Sequence, residues 1–354
     1  MNKRNEKLYR SCEIGSLKSV KKYLKKPLFG ICADINYRKH SDFNDTPLHV
    51  AVKKGYKEIV ELLINNGAII NIINDQGYTP LFSSFKYVEI VELLLKNGAE
   101  INIRAYENQT PLFYACGHGS KEIVKLLIDN GADVSIKDDQ GKTPLFSCIS
   151  NENSVEIVKL LIEEGVDINA IERYLKQSAL FNVCFFGNGG VAEILINKGA
   201  KVDLIDDDGC TPLYYTVYNK EFGYEIADLL IKNGIDVNNV NKNGDTALDW
   251  AINNDNDEIK KLLIIAGATQ NKNIDKQIKS EPSVVLICSF CGAILSGFSP
   301  SEVLTLPNNK LHEFEIDLGK QLSHPPGLKD NNGHNRYIVC NLCMKQALSN
   351  RHYK

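Results

Sequence analysis

The feature that most constrains this chain is a return at a nearly fixed interval. An opening pair recurs at Thr46-Pro47, Thr79-Pro80, Thr110-Pro111, Thr143-Pro144, Ser178-Ala179, Thr211-Pro212 and Thr246-Ala247. The steps between openings are 33, 31, 33, 35, 33 and 35 residues. An apolar run follows each in register: EIVELLI from Glu58, VEIVELLL from Val88, EIVKLLI from Glu122 and again from Glu156. Weaker copies are AEILI from Ala192, EIADLLI from Glu225 and EIKKLLI from Glu258. A period of this length means one supersecondary unit stacked on copies of itself, because a single unit cannot bury its apolar face alone.

Residues 110–142 show the unit. Thr110-Pro111 predicts a helix start, since proline suits the first turn and a preceding hydroxyl can cap open N–H groups. Gly117-His118-Gly119 ends that helix, and Ile123, Val124, Leu126, Leu127 and Ile128 form the apolar side of a second. Asn130-Gly131 stops the second helix, because glycine tolerates the left-handed conformation found at helix ends. Asp138-Asp139-Gln140-Gly141 is a turn-rich arm leading to the next opening.

This unit resembles the ankyrin repeat, which has a period of roughly 33 residues and a T-P-L-H signature. Thr46-Pro47-Leu48-His49 reproduces that signature, and the resemblance covers about residues 5–270. It implies a mostly α fold: a solenoid of about eight helix-turn-helix repeats with β-turn arms over residues 1–270. It also implies a non-catalytic scaffold or adaptor that binds a folded protein on a concave surface. The resemblance places the residues just before each opening at the arm tips, making Phe43, Asp75, Gln76, Tyr78, Tyr106, Glu107, Tyr174, Leu175, Asp207 and Asp208 the candidate partner contacts. No catalytic constellation is found among them, so the chain is not expected to be an enzyme.

Residues 1–45 read as a degenerate capping repeat. Leu17, Val20 and Leu24 share a helical face, and Lys18, Lys21, Lys22, Lys25 and Lys26 cover the rest. A solenoid end needs a polar outer face, which accounts for the charge; the other reading is an anionic surface, membrane or nucleic acid. The repeat from Thr79 is two residues short, which predicts a tighter inter-helix loop near Ser84. Those from Thr143 and Thr211 are two longer, near Asn151 and Asn219, and the arm 172–176 lacks the usual glycine. Phe82, Phe113, Phe146, Phe181 and Tyr214 stand where the signature has its histidine and read as a packed ladder in preference to a recognition ribbon. Cys116, Cys148 and Cys184 read as small apolar packing residues. Gly187-Asn188-Gly189-Gly190 is an inter-helix loop, since no Lys-Ser/Thr follows it as in a phosphate loop. His118 reads as a surface contact.

Residues 271–285 are polar, contain Pro282 and read as a linker. From 286 to 354 the chain changes character. Cys288-Ser289-Phe290-Cys291 and Cys340-Asn341-Leu342-Cys343 form two C-x-x-C pairs with 48 residues between them. Four thiolates in such pairs match one tetrahedral structural Zn2+ site with no position open to water. Disulfides or unengaged thiols are the competing readings, and His312, His324 or His334 could replace a cysteine. The second pair opens a helical run from Met344 to Asn350, the order of a treble-clef-like α+β module. The two edges, Cys288 to Gly292 and Tyr337 to Cys343, resemble the four-cysteine zinc domain of the ClpX unfoldase. That resemblance implies self-association, a homodimer, or the docking of substrates and adaptors. The segment 293–336 is far longer than in that family, and no ATPase residues accompany it. An alternative role is a substrate-recognition subunit or zinc-domain component of a ubiquitin-transfer or proteolytic system, although RING domains need eight ligands for two zincs.

A net charge of −3, with seven Lys and Arg against six Asp and Glu in residues 281–354, weighs against nucleic-acid binding. No run approaches ~18 consecutive apolar residues, so no membrane span is expected. The first fifteen residues lack the apolar run of a secretory signal, and the ten cysteines are unevenly scattered. A cytoplasmic, reducing setting is expected, a host-directed effector included.

Overall fold

The computed structural model describes residues 3–25, 32–149, 153–271, 284–287 and 294–298. The chain divides into two units, Met1–Gln270 and Asn271–Lys354.

The first unit is a succession of paired elements. In chain order its α-helices are α1 (Lys3–Glu13), α2 (Leu17–Leu24), α3 (Pro47–Lys54), α4 (Lys57–Asn65), α5 (Val88–Lys96), α6 (Pro111–His118) and α7 (Lys121–Asp129). They continue with α8 (Ser154–Glu163), α9 (Ala179–Phe186), α10 (Gly189–Asn197), α11 (Pro212–Thr216), α12 (Gly223–Lys232), α13 (Ala247–Asn253) and α14 (Asp257–Ile265). Before α5 and α8, the first member of the pair is only a 3-10 turn, Pro80–Ser83 and Pro144–Ser147.

The second helices form where their periodicity predicts. Ile59, Val60 and Leu63 of α4 are buried, as are Ile90, Val91 and Leu94, then Ile123, Val124 and Leu127, then Ile157, Val158 and Leu161. The spacing places these residues on one side of each helix, so successive helices seal one continuous core. Gly131 ends α7 at a φ of 93°. That conformation lets the amides of Gly131 and Ala132 reach the carbonyls of Ile128 and Leu127 at 2.9 and 3.0 Å, closing otherwise open acceptors. Asparagine side chains then bind repeat to repeat. Asn102 donates to the Gly131 carbonyl at 3.1 Å and accepts from the Asp133 amide at 2.9 Å. Asn71, Asn169 and Asn238 make the equivalent pairs of bonds in their own repeats. The capping reading of the first residues agrees with α1 and α2, where Leu8, Tyr9, Cys12 and Val20 are buried.

Two expectations are corrected. The tightening expected in the inter-helix loop of the Thr79 repeat falls instead on the first helix, which stops after one 3-10 turn. The longer repeats from Thr143 and Thr211 also have shortened first helices, so the loss of two residues is not the cause. The shortened elements share a buried side-chain donor three residues after the leucine. Ser84 Oγ donates to the Leu81 carbonyl at 2.6 Å, Cys148 Sγ to Leu145 at 3.3 Å, and Thr216 Oγ1 to Leu213 at 2.7 Å. Those carbonyls are the acceptors that the next α-helical turn would use, so the side chain competes with helix propagation. In the full-length first helices the same position is Ala51, Ala115, Val183 or Ala251, none of which has a side-chain donor.

The hydroxyl cap expected at the openings forms only at Thr46 and Thr246. Thr46 accepts from the His49 amide at 3.4 Å while His49 Nδ1 accepts from the Thr46 amide at 3.2 Å. Thr246 does the same with Asp249, at 3.2 and 2.8 Å. A reciprocal cap needs a polar side chain at the third helical position. Phe82, Phe113, Phe146, Phe181 and Tyr214 occupy it elsewhere. There the hydroxyls of Thr79, Thr110, Thr143, Ser178 and Thr211 are buried without a partner among the described residues.

Of the second unit, two strands are described. β1 (Val284–Ile287) and β2 (Ile294–Phe298) pair antiparallel, with Val284 opposite Phe298 and Ile287 opposite Ile294. Cys288, Cys291, Cys340, Cys343, His312, His324 and His334 lie outside the described residues. Among the described residues no helix is long and apolar enough to cross a membrane.

Candidate binding surface

The arms are built by three local devices. In four of them an Asn or Asp oxygen accepts two backbone amides, as Asp138 Oδ1 does from Gln140 and Lys142, both at 2.9 Å. Asn74, Asp206 and Asn241 do the same, and each of these arms carries a glycine at positive φ, such as Gly141 at 82°. In two arms, consecutive residues take the left-handed conformation: Phe43-Asn44 at φ 52° and 59°, and Glu107-Asn108 at 55° and 57°. Asparagine tolerates that region better than most residues. The arm without a glycine places Lys176 at φ 59°. The carboxylate of Glu172 holds this loop by accepting the amides of Tyr174 at 2.8 Å, Leu175 at 2.5 Å and Gln177 at 3.3 Å.

Main-chain bonds between neighbouring arms line the tips up in order. The Asp75 amide reaches the Phe43 carbonyl at 2.8 Å, Asp139 reaches Glu107 at 3.0 Å, and Arg173 reaches Gln140 at 2.7 Å. Asp207 reaches Leu175, and Lys242 reaches Asp208, both at 2.9 Å. Along this edge Phe43 is 60% exposed, Tyr106 41% and Tyr174 62%. Asp75, Gln76 and Asp207 are exposed; Glu107, Leu175 and Asp208 are half-buried. Burial, and then the nearby Asp138, raises the Glu107 carboxyl above its ordinary pKa.

Tyr78 is placed differently from the other candidates. It is half-buried, its hydroxyl lies 2.6 Å from that of Tyr114, and its ring centroid is 5.3 Å from Phe82. It belongs to packing between repeats more than to an exposed tip.

The ladder reading agrees with burial: Phe82, Phe113, Phe181 and Tyr214 are buried and Phe146 is half-buried. The residues that sequence reasoning missed stand one position later, at Tyr114, Tyr215 and Trp250. Tyr114 meets Phe82 edge-on at 5.2 Å, and Trp250 meets Tyr214 edge-on at 5.1 Å. Their signal was present, an aromatic following the ladder position in three repeats. Beside Tyr114 a hollow of about 310 Å³ is lined by Gln109, Phe113, Gly117, His118 and Ser147. It lies where the following first element stops, at Ser147. His118 is exposed there, with Nδ1 2.7 Å from the Tyr114 carbonyl. Cys116, Cys148 and Cys184 are buried, and burial raises all three thiols, that of Cys148 to about 12. They pack as neutral thiols.

A family model described as "Ankyrin repeats (3 copies)" matches residues 8–105, 103–172 and 180–275. The chain belongs to the ankyrin-repeat family. A protein of Rickettsia bellii (strain RML369-C), described as an ankyrin repeat protein, is 50% identical to it over 40 residues. That stretch is 11% of this chain and 17% of the Rickettsia protein, so the match takes in only a small part of that relative's length. Within its ankyrin repeats the chain keeps the T-P-L-H histidine once, at His49. It replaces the residue by an aromatic in five repeats and by Asp249 in the last.

Proposed function

We propose that this ankyrin-repeat protein is a non-catalytic scaffold or adaptor that recognises a folded protein with its arm edge and the adjoining face of its first helices. The observation that carries the reading is the row of exposed aromatic tips, Phe43, Tyr106 and Tyr174, on arms joined by main-chain hydrogen bonds. A surface so preorganised loses little conformational entropy on binding, and exposed aromatics supply large contact areas. Across the seven arms, residues 39–45, 74–78, 105–109, 138–142, 172–177, 206–210 and 241–245, eight Asp and Glu that are not buried stand against five Lys and Arg. The complementary partner surface is therefore basic. The test is capture of partners from cytosol with the full chain and with a Tyr106→Ala/Tyr174→Ala variant. Loss of the partner at unchanged unfolding midpoint is expected; equal retention by both sinks the arm edge as the contact.

We also propose that Cys288, Cys291, Cys340 and Cys343 hold one structural Zn2+ in a ClpX-like module over residues 286–354, serving second docking or self-association. Two C-x-x-C pairs support this, because each short pair can bite the same ion. Elemental mass spectrometry of the full chain should return one zinc per chain, and Cys291→Ser/Cys343→Ser should release it; a metal-free wild type overturns the proposal. Sedimentation with and without a chelator then separates self-association from docking. A place in a ubiquitin-transfer or proteolytic system would show as components of those machines lost with the zinc. Cytoplasmic placement is part of the same proposal, to be checked by fractionation.

A further inference from the structure

The helix α2, LKSVKKYL, contains no carboxylate, and its lysines fall on one side. Lys18, Lys21, Lys22 and Lys25 stand at helical spacings of three and four and together line a shallow hollow of about 350 Å³. Among the described residues, no carboxylate pairs with any of the four. Elsewhere most lysines of the second helices meet an acid: Lys57 with Glu89 at 2.9 Å, Lys121 with Glu156 at 3.0 Å, Lys125 with Asp129 at 3.2 Å, Lys260 with Asp257 at 3.4 Å.

The like charges on α2 oppose helix formation. Lys18 and Lys22, and Lys21 and Lys25, lie four residues apart, a spacing at which equal signs repel. Arg4 adds a further cation: its guanidinium donates to the carbonyls of Lys22, Tyr23 and Lys25 at 3.2, 3.3 and 2.9 Å. Residues 3–25 carry eight Lys and Arg against Glu6 and Glu13, in a chain whose net charge is −3. A solvated cap requires polarity, which mixed charge or Ser and Gln would supply; it does not require a single sign.

We infer that this face of the first helix pair binds a surface of anionic phospholipid. Two observations favour lipid over nucleic acid. Ile14, in the turn between α1 and α2 and four residues before Lys18, is 64% exposed, which places an apolar side chain beside the cations as interfacial segments do. Strand-like nucleic acid instead needs an open aromatic face for base stacking. Tyr23, the aromatic of α2, has the Arg4 guanidinium 5.8 Å and the Lys22 ammonium 5.9 Å from its ring centre. The four lysines belong to the second helix of their repeat and its C-cap, and none is an arm residue, so a membrane and a protein partner on the arm edge call on different side chains.

The experiment uses the full chain and sedimented vesicles of phosphatidylcholine, with and without phosphatidylserine, at low and high salt. The wild type should bind phosphatidylserine vesicles, release at high salt and ignore phosphatidylcholine alone. A Lys18→Gln/Lys21→Gln/Lys22→Gln/Lys25→Gln variant, confirmed as folded by circular dichroism, should bind at least tenfold more weakly. Ile14→Ser, which leaves the charge intact, should weaken vesicle binding several-fold without affecting a single-stranded RNA of twenty nucleotides. Failure of the wild type to bind, or unchanged binding by the glutamine variant, overturns the inference. So does tighter lysine-dependent binding to the RNA than to the vesicles.

Discussion

Tyr214 places its hydroxyl 2.8 Å from the carbonyl oxygen of Asp245, the residue just before the next opening. His49 makes the corresponding bond between repeats, its Nε2 lying 3.0 Å from the Tyr78 carbonyl. The histidine also completes the cap of its own helix through Nδ1, which the tyrosine cannot do. One position thus serves two joints. The five aromatics give up the cap, and among them Tyr214 keeps the bond to the next repeat.

Tyr214→Phe should lower stability by about 1–2 kcal/mol, because the hydroxyl also meets the Asn239 carbonyl, which would lose its donor, while the Asp245 carbonyl keeps the Asn241 amide at 2.9 Å. Urea midpoints at fixed pH measure it. A change below a few tenths would mean that water replaces the hydroxyl freely.

Phe146→His should restore a cap to Thr143 and raise stability by about 0.5–1 kcal/mol, since Phe146 is only half-buried and has less apolar contact to lose. Phe181→His should lower stability, because Phe181 is fully buried and meets Tyr215 at 5.7 Å. Opposite signs in one chain are the expected result. Two losses would show that apolar packing outweighs the cap at both sites.

The His49 imidazole is held below its ordinary pKa, chiefly by burial, against the opposing pull of the Tyr78 carbonyl. The unfolded chain therefore takes up this proton first. Stability from the neutral ring is complete above about pH 6.5 and declines as pH falls from there towards the depressed value, by no more than about 1.4 kcal/mol per pH unit. Comparing unfolding midpoints at pH 7.5 and 5.5 should show a smaller drop in His49→Phe than in the wild type. An equal drop would assign the effect to other histidines.

Gly223 opens α12, and a Cβ there would lie 2.2 Å from the carbonyl oxygen of Thr216, which is main chain. Gly189 has a similar clash, at 2.3 Å, but with the end of the Glu225 side chain, which can swing aside. Gly223→Ala should therefore cost about 2 kcal/mol or more and Gly189→Ala under about 1 kcal/mol, by thermal or chemical unfolding. Equal effects would mean that the Thr216 turn yields as easily as a carboxylate.

Much of the architecture could be read from spacing alone. The period, the second helices and the arms all follow from signals that act within one unit: apolar residues on one helical side, Asn-Gly stops, and Asx-Gly turns. Even the arm without glycine is legible afterwards, through Glu172 holding three amides and Lys176 accepting the strained φ. The candidate tips were legible at Phe43, Tyr106 and Tyr174. Tyr78 was not, because its hydroxyl is engaged by Tyr114, 36 residues further on.

What the sequence determined by itself was the repeating unit, its order of elements and the edge that carries variable residues, since each is a short-range preference multiplied by repetition. Tertiary structure alone decided which carbonyl of the next repeat His49 and Tyr214 reach, which arms are joined by main-chain bonds, and which lysine meets an acid of another repeat, as Lys57 meets Glu89. Those outcomes depend on what the neighbouring repeat presents about thirty residues away. At that distance a side chain's partner is chosen by stacking geometry and not by local preference.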